Sequence, residues 1–158
     1  MLKGFLLIAV LAASALAADK YTGPRPPKKD VLYLVHADNL IETENGAASE
    51  EKKKDDILNV IAGTSSPVRT PMAEPVFIIE TNNFTPESLE LYKLEVKSGH
   101  REILIPQKKR RSGPRALRLT VTRLDRGLYR IEASETLENG QYAVSPSGST
   151  HVFCFEVY

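Results

Sequence analysis

Four consecutive cations, Lys108-Lys109-Arg110-Arg111, precede Ser112-Gly113-Pro114 and Arg115 in a stretch that reads as a flexible loop. Ammonium and guanidinium groups held this way can contact phosphate, sulfate or carboxylate oxygens. From Pro106 to Arg130, nine Lys or Arg face one acid, Asp125. Arg118 and Arg130, expected on neighbouring strands, extend the patch across an outer sheet face. Lys108, Lys109, Arg110, Arg111, Arg115, Arg118 and Arg130 therefore form a candidate anion-binding site, whose partner would be an anionic polymer or a lipid headgroup. The alternative is a solvated loop whose charges keep a strand connection soluble. Nucleic acid is not expected, because the loop carries no aromatic residue on which a base could stack.

Groups for catalysis are sparse. His36-Ala37-Asp38 puts two possible ligands close together, and His151 can approach from a late strand, which keeps open a small hydrolase or metal enzyme around His36, Asp38 and His151. The chain has no H-E-x-x-H, C-x-x-C, Asp-rich calcium loop, G-x-S-x-G or glycine-rich phosphate loop. The acid pairs Glu42 with Glu44 and Asp55 with Asp56 read as surface charges near strand ends, whereas a glycosidase needs its carboxyls across a cleft. No catalytic residue, metal or cofactor is assigned, and the chain reads as non-enzymatic. Cys154 is the only cysteine, so an intramolecular disulfide is impossible. It is either a semi-buried apolar residue or half of an intermolecular bridge.

The elements that would position these groups are strands. Leu117, Leu119 and Val121 alternate with Arg118, Thr120 and Thr122, a period of two that places apolar side chains on one face. After Asp125-Arg126-Gly127, with Gly where a hairpin loop needs positive φ, Tyr129, Ile131 and Ala133 repeat the alternation. The two strands should pair antiparallel. Pro146-Ser147-Gly148-Ser149 turns the chain into His151 to Tyr158, in which Phe153, Phe155 and Val157 face the core and Cys154 the opposite side.

Between the two, Leu137-Glu138-Asn139-Gly140-Gln141-Tyr142 has an L-x-x-G-x-Y spacing that resembles the tyrosine corner of immunoglobulin-like sandwiches. That resemblance makes Leu137, Gly140 and Tyr142 a structural corner and implies an Ig-like sandwich in which the Tyr hydroxyl bonds upstream backbone. Val144 stands where a disulfide-linked Ig domain has its second Cys, so the inter-sheet disulfide is missing. The chain also resembles exported bacterial proteins built as single Ig-like sandwiches.

At the N-terminus, Lys3, the apolar run Phe5 to Leu11 and Ala15-Leu16-Ala17 read as a secretory signal peptide over 1–17. The run is too short to leave a transmembrane helix once the leader is cut. Lys+Arg is 21 against 20 Asp+Glu, and removing Lys3 balances them, so composition points to no polyanion. Residues 18–30 form a Pro-rich basic arm around Gly23-Pro24-Arg25-Pro26-Pro27, and 31–158 a single domain.

Along that domain, Val31 to His36 and Leu40-Ile41 are strand-like. Residues 49–62 read either as a helix or as half of a long hairpin. In the hairpin reading, Asn45-Gly46 is the turn and acids around Glu42 to Glu44 oppose Lys52 to Lys54. Thr64 to Pro75 should cross between sheets, and Val76 to Glu80 should be a central strand. Asn83-Phe84-Thr85 matches an N-glycosylation sequon, and Thr85-Pro86-Glu87-Ser88 a capped helical turn. Leu89 to Val96 changes parity, which suggests a bulge near Leu91, and Lys97-Ser98-Gly99-His100 is a tight turn into an inward-facing Ile103 and Ile105. These signals amount to an all-β, antiparallel two-sheet sandwich of about eight strands. The function expected is a periplasmic or extracellular interaction module that binds a protein partner.

Overall fold

A computed structural model describes residues 20–108 and 113–158. Residues 1–19, which include the expected leader over 1–17, and Lys109, Arg110, Arg111 and Ser112 lie outside the described residues. The fold is an all-β sandwich of two antiparallel sheets. The smaller sheet contains β1 (Leu32–His36), β2 (Asn39–Glu42), β7 (Val76–Glu80), β10 (Leu119–Asp125) and β11 (Leu128–Ala133), in the order β10-β11-β7-β1-β2. The larger contains β3 (Glu44–Ala47), β4 (Ser49–Lys53), β5 (Asp56–Ala62), β8 (Leu89–Lys97), β9 (His100–Pro106), β12 (Gly140–Pro146) and β13 (His151–Val157). Its order is β3-β13-β12-β8-β9-β5-β4, and the two-residue β6 (Arg69–Thr70) adds a short parallel pairing to β13.

Between the sheets, Leu32, Leu34, Phe77, Ile79 and Ile131 pack against Leu91, Tyr142, Val144, Phe153 and Phe155. The Phe77 and Phe155 rings lie 5.0 Å apart and tilted by 60°, a favoured aromatic geometry. As expected, β7 is central and its apolar run is buried, and residues 64–75 carry the chain from one sheet to the other.

The larger sheet is closed on itself. Residues 44–53 run as one extended segment interrupted only at Ala48, whose N–H bonds Thr150 O at 2.8 Å. Alternate residues of a strand point their backbone groups to opposite edges. The register puts 44, 46 and 48 in bonds to β13, and 49, 51 and 53 in bonds to β5. One strand thus joins both ends of the sheet, giving a six-stranded barrel whose outer face on β8, β12 and β13 is half of the sandwich. Its interior holds a second apolar cluster: Ala48, Ile61, Leu94, Ile103, Ala143, Val152 and Cys154.

Several sequence expectations change. Asn45-Gly46 is not a turn: Gly46 sits in β3 opposite Val152. Residues 49–62 are strand and not helix, but the expected hairpin does not form: 49–62 is a hairpin in itself, β4 pairing with β5 across a bend at Lys54-Asp55, with Lys54 at φ 57. Glu42 accordingly lies opposite Tyr33, and Lys52 opposite Ile57, so the expected acid-to-base ladder does not form. No bulge occurs at Leu91, since the β8–β12 register is unbroken from Leu89 to Leu94. The parity change arises because both faces of β8 are covered, Leu89 and Leu91 by the sandwich core and Tyr92 and Leu94 by the barrel interior. The described residues form thirteen strands instead of about eight, because short pieces such as β2, β3 and β6 carry no apolar alternation of their own. The helical turn forms over Pro86–Ser88 with Pro first, but the Thr85 side chain makes no capping bond. Gly127 adopts the expected positive φ, 71°, and a Cβ there would meet Asn82 Oδ1 at 2.9 Å.

Candidate functional site

The barrel has one closed and one open end, and both are set by inward-facing residues of β9. Arg101, Ile103 and Ile105 share a face because they are two apart. Arg101 is fully buried. Its guanidinium donates two bonds to the Glu44 carboxylate, at 2.7 and 2.8 Å, and further bonds to Gly63 O at 3.1 Å and Ala62 O at 2.7 Å. This bidentate pair, with two carbonyls taking two of the three remaining N–H donors, compensates a cation that would otherwise be costly to bury. Burial pushes the Glu44 carboxyl upward, but bonds from Arg101 and Ser66 and the Arg101 charge outweigh that and hold it below the usual carboxylate value. Ser66 completes the plug: its N–H bonds Gln141 Oε1 at 2.8 Å and its hydroxyl donates to Cys154 O at 3.3 Å.

Cys154 lies beneath this plug, fully buried and free. Burial first, and then the nearby Glu44 charge, push its thiol up to about 12, with Arg101 opposing. A thiol in that setting is not a nucleophile, and no second chain's sulfur can reach it in the folded protein. The semi-buried apolar reading therefore describes Cys154, although its burial is complete.

At the other end, β8 and β9 are paired only where Glu95 to Lys97 faces His100 to Glu102, and they part beyond it. A cavity of about 340 Å³ opens into the gap. Its wall is apolar, formed by Ile57, Ile61, Leu94, Ile103, Ile105, Ala143 and Val152. Polar groups are few: Asn59 in the wall, Glu50, Glu90 and Gln107 at the mouth, and serines of the 145–149 turn. The Tyr92 hydroxyl donates to Glu90 Oε2 at 2.8 Å; burial and that carboxylate raise the phenol well above its ordinary value. Asn59 Oδ1 is buried and has no hydrogen-bond partner among the described residues. An apolar chamber with acceptors and no cation in its lining is equipped to hold a molecule.

The basic patch expected from sequence is interleaved with acids. Lys108 lies 3.6 Å from Asp55 at the β4–β5 turn, on the larger sheet. Arg115 pairs with Glu135 at 3.1 Å, and the same carboxylate accepts the Arg118 N–H at 3.2 Å. Arg130 pairs with Glu132 at 2.8 Å. Arg130 lies in β11 and Arg118 immediately before β10, level with Ser134, so the two are close to the expected adjacent strands but four positions apart along them; Lys108 follows β9 of the other sheet.

His36 ends β1 and Asp38 lies in the following turn, both exposed, whereas His151 opens β13 in the other sheet with its ring 4.6 Å from Phe153. Among the described residues, no three His, Cys, Asp or Glu side chains come close enough to hold a metal ion. The Tyr142 hydroxyl donates to Glu138 O at 2.7 Å, with its ring stacked 5.5 Å from Phe155. Leu137 is buried, and its N–H bonds Ala73 O at 2.7 Å. This corner fixes the start of β12 and so places Ala143 in the barrel and Val144 in the sandwich core. The Asn83 amide of the sequon donates to Asp30 Oδ2 at 2.5 Å.

Arg101 and Asn59 were the functional residues missed by motif reasoning. The available signal was parity: Arg101 is in step with Ile103 and Ile105, and Asn59 with Ile57 and Ile61. Comparison with protein-family models, curated proteins and solved structures finds no match.

Proposed function

We propose that the chain is an exported, non-enzymatic interaction module, Ig-like in kind, that binds a protein partner by adding a strand to β10. The signal-peptide pattern over 1–17 supports export, and the Tyr142–Glu138 corner supports kinship with Ig-like sandwiches, from which the closed barrel departs.

The observation that carries the reading is the free edge of β10. Ser134 N–H bonds Arg118 O, so the even-numbered residues 118, 120 and 122 face β11. Leu119, Val121 and Arg123 therefore turn their backbone groups to the other edge, where no described strand pairs with them. The same edge already takes one bond from the other sheet, Leu117 N–H to Leu91 O at 2.7 Å. A row of unpaired donors and acceptors is the feature that strand addition uses. The smaller sheet's opposite edge, β2, is four residues long and offers less. The pairing of Arg115 and Arg130 with carboxylates favours this reading over an anion site.

Hydrogen exchange tests it. The amides of Leu119, Val121 and Arg123 should exchange fast in the free protein and slow at least tenfold in complex with a partner captured from the exported fraction. Arg123→Pro removes one outward N–H from an exposed position without touching the β11 ladder, and should abolish capture while leaving the thermal melt in place. A complex in which these amides still exchange fast would overturn the reading.

A further inference from the structure

We propose that the open end of the barrel is a binding site for a small molecule with an apolar body and a neutral or cationic, hydrogen-bond-donating head. The volume of about 340 Å³ lies within the roughly 300–1,000 Å³ range of small-molecule sites. Side chains from all six barrel strands line it, so the chamber is a product of sheet closure, separate from the β10 edge.

Three observations fix the ligand's chemistry. The wall between the plug and the mouth is aliphatic apart from Tyr92 and Asn59, which calls for an apolar body. Asn59 Oδ1 is a buried acceptor without a partner among the described residues, and leaving such a group unpaired costs free energy that a ligand's donor would recover. Among the described residues the lining at the mouth includes Glu50 and Glu90 and no Lys or Arg; Lys52, Lys54 and Lys108 border the adjoining surface beside Glu50. Two carboxylates in the lining itself, with the lysines outside it, favour a hydrogen-bond donor or an ammonium over an anionic head. Fatty acids and other carboxylate amphiphiles are thus disfavoured relative to amines or alcohols of compact apolar skeleton.

Three probes with one skeleton decide the point: naphthylethylamine, naphthylethanol and naphthylacetate. The chain contains no Trp, so naphthyl fluorescence anisotropy reads binding to the purified protein directly. The amine and the alcohol should bind saturably, and the acetate at least about tenfold more weakly. Asn59→Leu should weaken amine and alcohol about tenfold. That variant removes an unpartnered amide from an apolar wall, and an unchanged melt verifies its fold. Glu50→Gln, an exposed change at the mouth, should weaken the amine and spare the alcohol, whereas Arg123→Pro on β10 should alter neither. Absence of saturable binding by amine and alcohol, acetate binding as tight as amine binding, or affinities unmoved by Asn59→Leu would each overturn the proposal.

Discussion

The Arg101 guanidinium and the Glu44 carboxylate meet in a bidentate pair at 2.7 and 2.8 Å, and so tie β9 to the strand that closes the barrel. The Arg101 side chain is 1% exposed and that of Glu44 28%, so the two partners differ in what they lose when the pair is broken.

Arg101→Met leaves Glu44 without its cation and the Ala62 and Gly63 carbonyls without donors. It should lower stability by about 3 kcal/mol, at the low end for breaking a buried pair because Glu44 is partly solvated. Equilibrium urea unfolding measures this. Adding Glu44→Leu should recover part of the loss, since no uncompensated charge then remains; equal or greater loss in the double variant would mean the pair itself is net stabilising.

The same pair sets a pH response. The Glu44 carboxyl is held below its ordinary 4.5 in the folded protein, so across that window the unfolded chain binds more protons and stability rises with pH. The contribution is complete above 4.5 and is lost as pH falls through the folded value. Glu102, Asp125, Glu135 and Glu138 are shifted the same way, Glu102 first by the bond from His100, Asp125 and Glu135 first by backbone N–H bonds, and Glu138 by Lys93; salt weakens the charge part of those shifts. In high salt, urea midpoints should still fall below pH 4.5 in the wild type and fall less steeply in Glu44→Gln.

Cys154 should resist alkylation. With the thiol pushed up to about 12 and no exposed surface, iodoacetamide at pH 8 should label it only at the rate of unfolding, and labelling should become fast in urea. Non-reducing electrophoresis should show a monomer. Rapid labelling of the folded protein would contradict the placement of Cys154 inside the barrel.

Tyr142→Phe removes only the hydroxyl that donates to Glu138 O at 2.7 Å, and leaves the ring on Phe155. A loss of about 1–2 kcal/mol is expected, the net worth of the bond plus the unpaired carbonyl. Gly140→Ala should also destabilise, because Gly140 has φ 154 and a Cβ there would meet Lys93 Cε at 3.1 Å. Urea unfolding of each variant gives both values.

Strands buried on one face were legible. Residues 117–133 alternate cleanly, and Gly127 marks their turn, so β10 and β11 could be placed together with their pairing. The segment from Asn39 to Lys53 was not legible, because its bends occur at Ala37 and Lys54, both at positive φ without being Gly. Asn45-Gly46, a strong turn dipeptide in isolation, is overridden by the ladder to β13. The candidate site was legible in still smaller part. A barrel interior depends on which strands become neighbours, and β3 and β13 lie far apart in sequence. Once that register is known, Asn59 and Arg101 follow from parity alone.

Barrel closure requires β3 to meet β13, roughly a hundred residues later, a separation that makes folding slow because the loop must be ordered before its contacts reward it. The segment from Glu44 to Lys53 therefore has no complete sheet to join until residues 151–157 have been made. A ribosome-bound chain lacking them would leave the barrel open and its apolar strands without their last neighbours. It would also expose those strands to aggregation if synthesis stalled. The order in which the chain is written thus delays assembly until nearly all of the sequence shown is available.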